Sequence, residues 1–395
     1  MAYKAYKTEL KPNNKQASFF AQCCGASRYV YNWGLAEWKR QYEEGGKPSA
    51  YGLRAQFNAA KDDLCPWIRG LPYAVTEAAF GNLGSAFKNF FRRIKNGDDK
   101  AGYPRFKRRG IKNSFQLRGT KIEHDRVRFT GIGWVRLKER DYIPAGAEYG
   151  IYATISERAG RWFISVLVKC EDQPIVEPTS PALGIDLGVK SLATCSDGTV
   201  FENPKTLYQY EKRLARLQRE LSRRKKGSAN REKTKARVAR LHYKISNIRK
   251  HAIHQVSDYA TKKVRPSAIV LENLNVRGMM KNHHLAKAIG DASFHELRRQ
   301  LEYKAERNGI EVIIADRFYP SSKTCSRCGC RKDDLTLKDR IFKCDECGYE
   351  IDRDLNAALN LAALAEGRNA PGLPVELSGL PVTVKQEGGG VTCGA

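Results

Sequence analysis

Four cysteines and three carboxylates hold the side chains in this chain that could do chemistry. Cys325-x2-Cys328 and Cys344-x2-Cys347 are two knuckles separated by fifteen residues. That spacing lets four thiolates meet as a tetrahedron, the arrangement of a zinc ion, and Gly329 and Gly348 stand where each knuckle turns. A site closed by four cysteines leaves no place for water, so one Zn2+ here is structural. Iron, or an empty site, is the alternative. Cys330 has no slot in the pattern.

The carboxylates are Asp186, Glu272 and Asp354. Asp186 closes the apolar run Ala182-Leu183-Gly184-Ile185, Glu272 closes Ala268-Ile269-Val270-Leu271, and Asp354 follows the second knuckle in Asp352-Arg353-Asp354-Leu355. Each has an ordinary alternative: an acid after a strand is often a turn residue, and an acid in a first helical turn answers the helix dipole. As a set, on two strand ends and one helix start, they would repel unless divalent cations bridged them. Two-metal phosphodiester hydrolysis has that requirement, and with water attacking it needs no Ser or His nucleophile.

The elements that must hold these groups can be read from periodicity. Residues 1–9 suit one strand ended by Lys11-Pro12. From Asn14 a helical period places Phe19, Cys23, Ala26, Val30 and Trp33 on one face, and a second helix spans Ala74 to Ile94. Its basic end, Arg92 and Arg93, leads into Tyr103-Pro104-Arg105-Phe106-Lys107-Arg108-Arg109. Such a stretch is a solvated loop or an aromatic and basic surface for stacking and phosphate contact. Between about 114 and 170 the period is two, which predicts an antiparallel β domain, a small barrel completed by the first strand with the helices inserted. Residues 173–179 suit a linker. Strands follow over 183–203 with a turn at Asp197-Gly198, then over 267–271 and 311–315, with a helix over 292–308. Residues 211–250 form a helical hairpin carrying 16 Lys and Arg against three Glu. A charge run is often just a solvated face. Here the excess cannot be paired internally, and Arg223, Arg224, Lys225 and Lys226 suit phosphates.

The whole chain shares that bias. Its 70 Lys and Arg against 43 Asp and Glu give a formal charge of +27, which predicts a polyanionic partner. With 41% hydrophobic residues the chain can bury cores, so it is not a basic tail. No charge-free stretch reaches membrane-spanning length and the N-terminus has no apolar signal region, so a cytoplasmic place at the nucleoid is expected. Cys23, Cys24, Cys65, Cys170 and Cys195 are scattered and suit a reducing compartment.

These motifs together resemble the transposon-encoded RNA-guided DNA endonucleases of the OrfB/TnpB type, compact relatives of the type V CRISPR effectors. The likeness rests on Gly184-Ile185-Asp186-Leu187-Gly188, Val270-Leu271-Glu272-Asn273-Leu274, the two knuckles, and Asp352-Arg353-Asp354-Leu355-Asn356-Ala357-Ala358-Leu359-Asn360. It implies a multidomain α+β protein. A RuvC-like (ribonuclease-H-type) α/β nuclease domain would cover 181–319 and 350–368, with the basic hairpin at 211–262 and a zinc ribbon at 320–349. A wedge-type β-barrel would cover 1–9 and 110–175, a helical recognition domain 10–109, and a disordered tail 369–395. The resemblance further implies Asp186, Glu272 and Asp354 as catalytic acids on two Mg2+ ions, a guide RNA encoded near the transposon end, and target double-stranded DNA cut beside a short flanking motif by a monomeric ribonucleoprotein. A compact CRISPR effector, or an RNA-guided repressor that does not cut, are the alternatives.

Overall fold

The computed structural model describes residues 2–170, 177–336, 339–365, 367 and 383–384. The chain divides into two compact units, Met1–Asp172 and Gln173–Ala395.

The first unit begins with β1 (Ala2–Lys11), α1 (Asn14–Glu43), α2 (Ala50–Leu64) and α3 (Tyr73–Lys95). It continues with β2 (Asn113–Arg118), β3 (Lys121–Glu123), β4 (Arg126–Phe129), β5 (Gly133–Leu137), β6 (Tyr152–Arg158) and β7 (Arg161–Cys170). Asn13 starts α1 with a reciprocal cap, its side chain accepting from Gln16 N while Gln16 Oε1 accepts from Asn13 N. The strands form one sheet in the order β2-β6-β7-β1-β5-β4-β3. The first strand is central. It pairs with β7 from Ala2↔Cys170 to Leu10↔Trp162 and with β5 at Leu10↔Leu137. Helices and sheet share one core: the Phe20 ring of α1 meets Phe115, Phe129 and Trp162 of the strands.

The second unit contains β8 (Leu183–Asp186), β9 (Ser191–Cys195), β10 (Val200–Glu202), α4 (Thr206–Arg223), α5 (Ala229–Asp258) and β11 (Ala268–Leu271). After these come α6 (Val276–Met279), α7 (His283–Ala292), α8 (Phe294–Arg307), β12 (Glu311–Ile314), β13 (Ile341–Lys343), β14 (Glu350–Asp352), α9 (Arg353–Ala365) and β15 (Thr383–Val384). The main sheet runs β12-β11-β8-β9-β10-β15. Within it β8, β11 and β12 are parallel to one another, while β9 runs antiparallel to β8. All four residues of β11 are buried, as a strand covered on both faces requires. Ile269 and Leu271 pack with Leu297 and Leu301 of α8, whereas Val270 packs with Leu361 of α9.

The basic hairpin is α4 and α5, held by its own small core of Leu214, Leu217, Leu241 and Ile245. Leu221, one turn beyond Leu217 on the same face, is half-buried. A π-helical turn, Tyr259–Val264, prolongs α5. The expected linker lies outside the described residues through 176. So does the tail, apart from Thr383–Val384, which pairs in parallel with β10.

Candidate active site and metal centre

Asp186 is the last residue of β8, and Glu272 follows the last residue of β11. The parallel register Leu271↔Ile185 sets these two strand ends side by side. Asp354 is the second residue of α9. This helix crosses β8 at Gly184, where a Cβ would lie 1.9 Å from Ala358 O and 2.6 Å from Ala362 N. Ala358 is one helical turn beyond Asp354 and Gly184 is two residues before Asp186, so the crossing brings helix start and strand end together.

The electrostatics report the same convergence. Burial, then the charges of Glu272 and Asp354, push the Asp186 carboxyl well above the usual aspartate range, while Arg353 opposes them. Burial likewise raises Glu272; a Ser321 hydrogen bond counteracts it and the Asp354 charge adds to it. Asp354 is not the helix cap. Asp352 Oδ1 accepts from Asp354 N and Leu355 N at 2.9 and 3.2 Å, so the Asp354 carboxylate is left for other work. It receives Arg353 Nη2 at 3.3 Å.

The segment leading into the first knuckle touches this cluster. Buried Ser321 donates from Oγ to Glu272 Oε1 at 2.5 Å. Asn360 Nδ2 donates to Ser321 O at 2.7 Å and to Thr324 O at 2.6 Å. Asn356 Nδ2 donates to Thr324 O at 2.7 Å, and its Oδ1 accepts from Ser326 N at 3.0 Å. Two buried amides on α9 thus clamp the backbone between Ser321 and the cysteines. Sequence reading assigns Ser321, Asn356 and Asn360 no role. The available signal is two asparagines four apart on an otherwise Ala- and Leu-rich helical face.

Cys325, Cys328, Cys344 and Cys347 converge, with all ligand atoms within 4.8 Å of one another. Cys325 Sγ lies 3.7 Å from Cys347 Sγ, and Cys328 Sγ 3.5 Å from Cys344 Sγ. Four thiolates about 2.3 Å from a tetrahedral zinc would stand about 3.8 Å apart, so the donor set fits that ion. Gly329 and Gly348 close the two turns at φ +78° and +66°, each donating its N–H to the first cysteine of its knuckle. Cys330 stays outside the cluster; its carbonyl accepts from Cys325 N.

The basic candidates fall into two kinds. Arg92, Arg105, Phe106, Arg108 and Arg109 are exposed. Arg93 is exposed but tied to Asp98 at 2.7 Å. Tyr103 stands edge-on to Phe87 and Phe90 at 5.4 Å each. Lys107 lies 4.0 Å over the Tyr31 ring, and burial followed by the charge of Lys112 brings its ammonium down to about 8. Lys107 therefore anchors the loop against Tyr31, while Tyr103 keeps an exposed face. On the hairpin turn Arg223, Arg224, Lys225 and Lys226 are exposed, with Arg224 paired to Glu220 at 3.1 Å. Lys212, Arg213, Arg216 and Arg237 line a further cleft along its side, which reading the turn alone overlooks.

Three family models match the chain: "Probable transposase" of the OrfB_IS605 type over residues 165–283, "Cas12f1-like, TNB domain" over 294–361, and "Helix-turn-helix domain" over 1–47. In this structure the described part of 1–47 is one strand and one helix. An Escherichia coli (strain K12) protein assigned as RNA-guided DNA endonuclease InsQ is 33% identical over 97% of both chains. A Streptomyces pristinaespiralis protein assigned as an RNA-guided DNA endonuclease is 36% identical over 93% of this chain and 91% of its own. The CRISPR-associated endodeoxyribonuclease Cas12f1 of Sulfoacidibacillus thermotolerans is 28% identical over 52% of this chain and 51% of its own. The chain belongs to the OrfB/TnpB family of RNA-guided DNA endonucleases. No helix among the described residues is long and apolar enough to cross a membrane.

Proposed function

We propose that this protein is the RNA-guided, Mg2+-dependent DNA endonuclease of an insertion-sequence element, cutting double-stranded DNA beside a short flanking motif. The observation that carries the reading is the mutual charge of Asp186, Glu272 and Asp354, brought from three elements to one end of the β8–β11 pair. Burial and then neighbouring carboxylate charge, that of Asp354 in both cases, raise the proton affinity of Asp186 and Glu272, and acids crowded in this way form a donor set suited to hard divalent cations. Asp186, Glu272 and Asp354 would hold two Mg2+ ions. Bound there, the metal supplies charge stabilisation at the scissile phosphate and a more acidic attacking water. The chain's own groups do the rest. Ser321 orients the Glu272 carboxylate, Arg353 offsets the excess negative charge, and the cysteine fold on one Zn2+ holds the segment carrying Ser321.

In this reading residues 181–319 and 350–368 are a RuvC-like domain and 320–349 a zinc ribbon. Residues 1–9 and 110–175 act as the wedge-type β-barrel domain, and 10–109 as the helical recognition domain. The basic hairpin follows the backbone of a guide RNA encoded near the transposon end, or of its duplex with target DNA, while base pairing reads sequence. The protein acts as a monomer with its RNA in a prokaryotic cytoplasm, at the nucleoid.

The test incubates target duplex and Mg2+ with protein freed of RNA, then restores the guide. Cutting is expected only after restoration, and Asp186→Ala is expected to bind guide and target without cutting. Efficient sequence-specific cutting without RNA overturns the guided reading; cutting by the Asp186→Ala variant overturns the site.

A further inference from the structure

Among the described residues Phe318 is the most exposed large hydrophobic side chain, at 85%. Exposure of one apolar residue is common and decides nothing by itself. Its setting is unusual in three respects. First, its backbone is pinned. Phe318 N donates to Asp316 Oδ1 at 2.8 Å, Tyr319 N to Asp316 O at 3.1 Å and Ser321 N to Tyr319 O at 2.9 Å. The neighbouring Tyr319 ring packs against Val270 and Leu361, and its hydroxyl donates to Asn360 O at 3.1 Å.

Second, the pinned loop is fastened to the strand that carries Glu272. Ala315 N donates to Leu271 O at one end, and Ser321 Oγ to Glu272 Oε1 at the other. Phe318 therefore projects from a short span at the carboxyl ends of the parallel strands β11 and β12, the end where sheets of this kind bind ligands. Third, the Arg317 guanidinium lies 5.9 Å from the Phe318 ring centre and pairs with no carboxylate among the described residues. An aromatic face with an uncommitted arginine beside it suits a base and a phosphate of one unpaired strand.

We propose that Phe318 and Arg317 form a stacking platform for an unpaired nucleobase of the single DNA strand delivered to the acid cluster. The ring takes the base and the guanidinium takes the adjoining phosphate. Because the span ends on Glu272, a strand held on the ring has its backbone guided toward the three carboxylates. This inference rests on the nuclease reading of those carboxylates. It adds a substrate-positioning role for a residue that contributes nothing to a core.

The test uses the full-length protein with its guide RNA, without added divalent cation, and two probes: a short single-stranded oligodeoxynucleotide and the same strand with abasic sites. Comparing the two isolates base contact from phosphate attraction. For wild type the intact strand should bind more tightly. Phe318→Ala should reduce that preference on the order of tenfold, Phe318→Trp should preserve it, and Phe318→Leu should not restore it. Zinc content and thermal midpoint should not change in any variant, since the side chain is exposed. An unchanged preference in Phe318→Ala overturns the proposal, as does full restoration by Phe318→Leu, which would mean apolar contact without stacking. Tighter Phe318-dependent binding of the equivalent RNA strand also overturns it. Cleavage of target duplex by wild type with guide and Mg2+ is scored separately, so failure of the nuclease reading is distinguishable from failure of the platform.

Discussion

The Cβ that Gly184 lacks would stand 1.9 Å from the carbonyl oxygen of Ala358, closer than any side chain tolerates. The obstacle is helix backbone on both sides, since Ala362 N is only 2.6 Å away. Gly184→Ala must therefore lift α9 from β8 and carry Asp354 away from Asp186. We expect a loss of at least about 3 kcal/mol in the second unit and loss of cleavage. Gly290, exposed on α7 with only the Met280 side chain at 3.6 Å, provides the contrast. Gly290→Ala should stabilise by roughly 0.5–1 kcal/mol. Thermal unfolding of both variants decides it; equal midpoints would mean that the helix does not press on the strand.

Removing the Ser321 hydroxyl leaves Glu272 without the donor that counteracts its burial. Ser321→Ala should lower cleavage roughly 10- to 100-fold, the usual cost of losing a group that orients a metal ligand. The zinc site should remain, because the cysteines and the Asn360 bond to the Ser321 carbonyl are untouched. Single-turnover cleavage together with zinc content separates this from unfolding. A wild-type rate would show that Glu272 is held without Ser321.

How much of this arrangement is legible in the sequence depends on how local its cause is. Ala268–Leu271 reads as a buried strand because four consecutive apolar side chains need cover on both faces, and they have it. The cysteine knuckles read from spacing and two turn glycines. Helix α2 does not announce itself: only Leu53 and Phe57 are buried, too few to set a period. The clamp by Asn356 and Asn360 is invisible for another reason, since their partners are backbone groups 30 to 39 residues away. Lys107 reads like its exposed neighbours because composition cannot distinguish a side chain facing outward from one packed on Tyr31.

Asp186 gives a pH prediction. Its carboxyl lies above the ordinary aspartate range, chiefly through burial and then Glu272 and Asp354. A group whose folded pKa is raised takes up a proton on folding. Its contribution is therefore most favourable at pH below the unfolded value, about 3.9, and is lost as pH rises through the folded value. In metal-free protein Asp186→Asn should match wild type near the lower limit of that window and be more stable at neutral pH, by on the order of 1 kcal/mol. Added Mg2+ should stabilise wild type and not the variant. Unfolding curves across pH, with and without Mg2+, test both statements; a constant difference at all pH values would remove the carboxylate repulsion from the account.

Losing the zinc ion should silence the acids without altering one of them. Cys344→Ser takes a thiolate from the cluster, and the segment from Ser321 to Ser326 then rests on hydrogen bonds, those to the α9 amides and to Glu272 among them. Arg353 also links the start of α9 to the segment between the two cysteine knuckles, its Nη1 donating to Thr336 O at 3.3 Å. We expect the variant to lose bound zinc and cleavage while the first unit stays folded. Metal analysis of wild type purified without chelator comes first. Absence of zinc there, or full cleavage by the zinc-free variant, would separate the cysteines from the chemistry.

The turn of the basic hairpin gives the last prediction. Arg223, Lys225 and Lys226 are exposed, and Arg224 is partly neutralised by Glu220. Four cations on the turn, with Lys212, Arg213, Arg216 and Arg237 along the side, make a surface suited to phosphates. Changing Arg223, Arg224, Lys225 and Lys226 together to Glu should weaken binding of unrelated guides and targets by the same factor. The slope of log affinity against log salt should also become shallower, by about 0.7–0.9 for each phosphate that the protein no longer neutralises. Of the four, Arg224→Glu alone should matter least, since its charge is already shared with Glu220. Salt titrations with two unrelated guide and target pairs provide the measurement. A loss confined to one pair would mean that the hairpin reads sequence, and an unchanged slope would mean that these side chains face water in the complex.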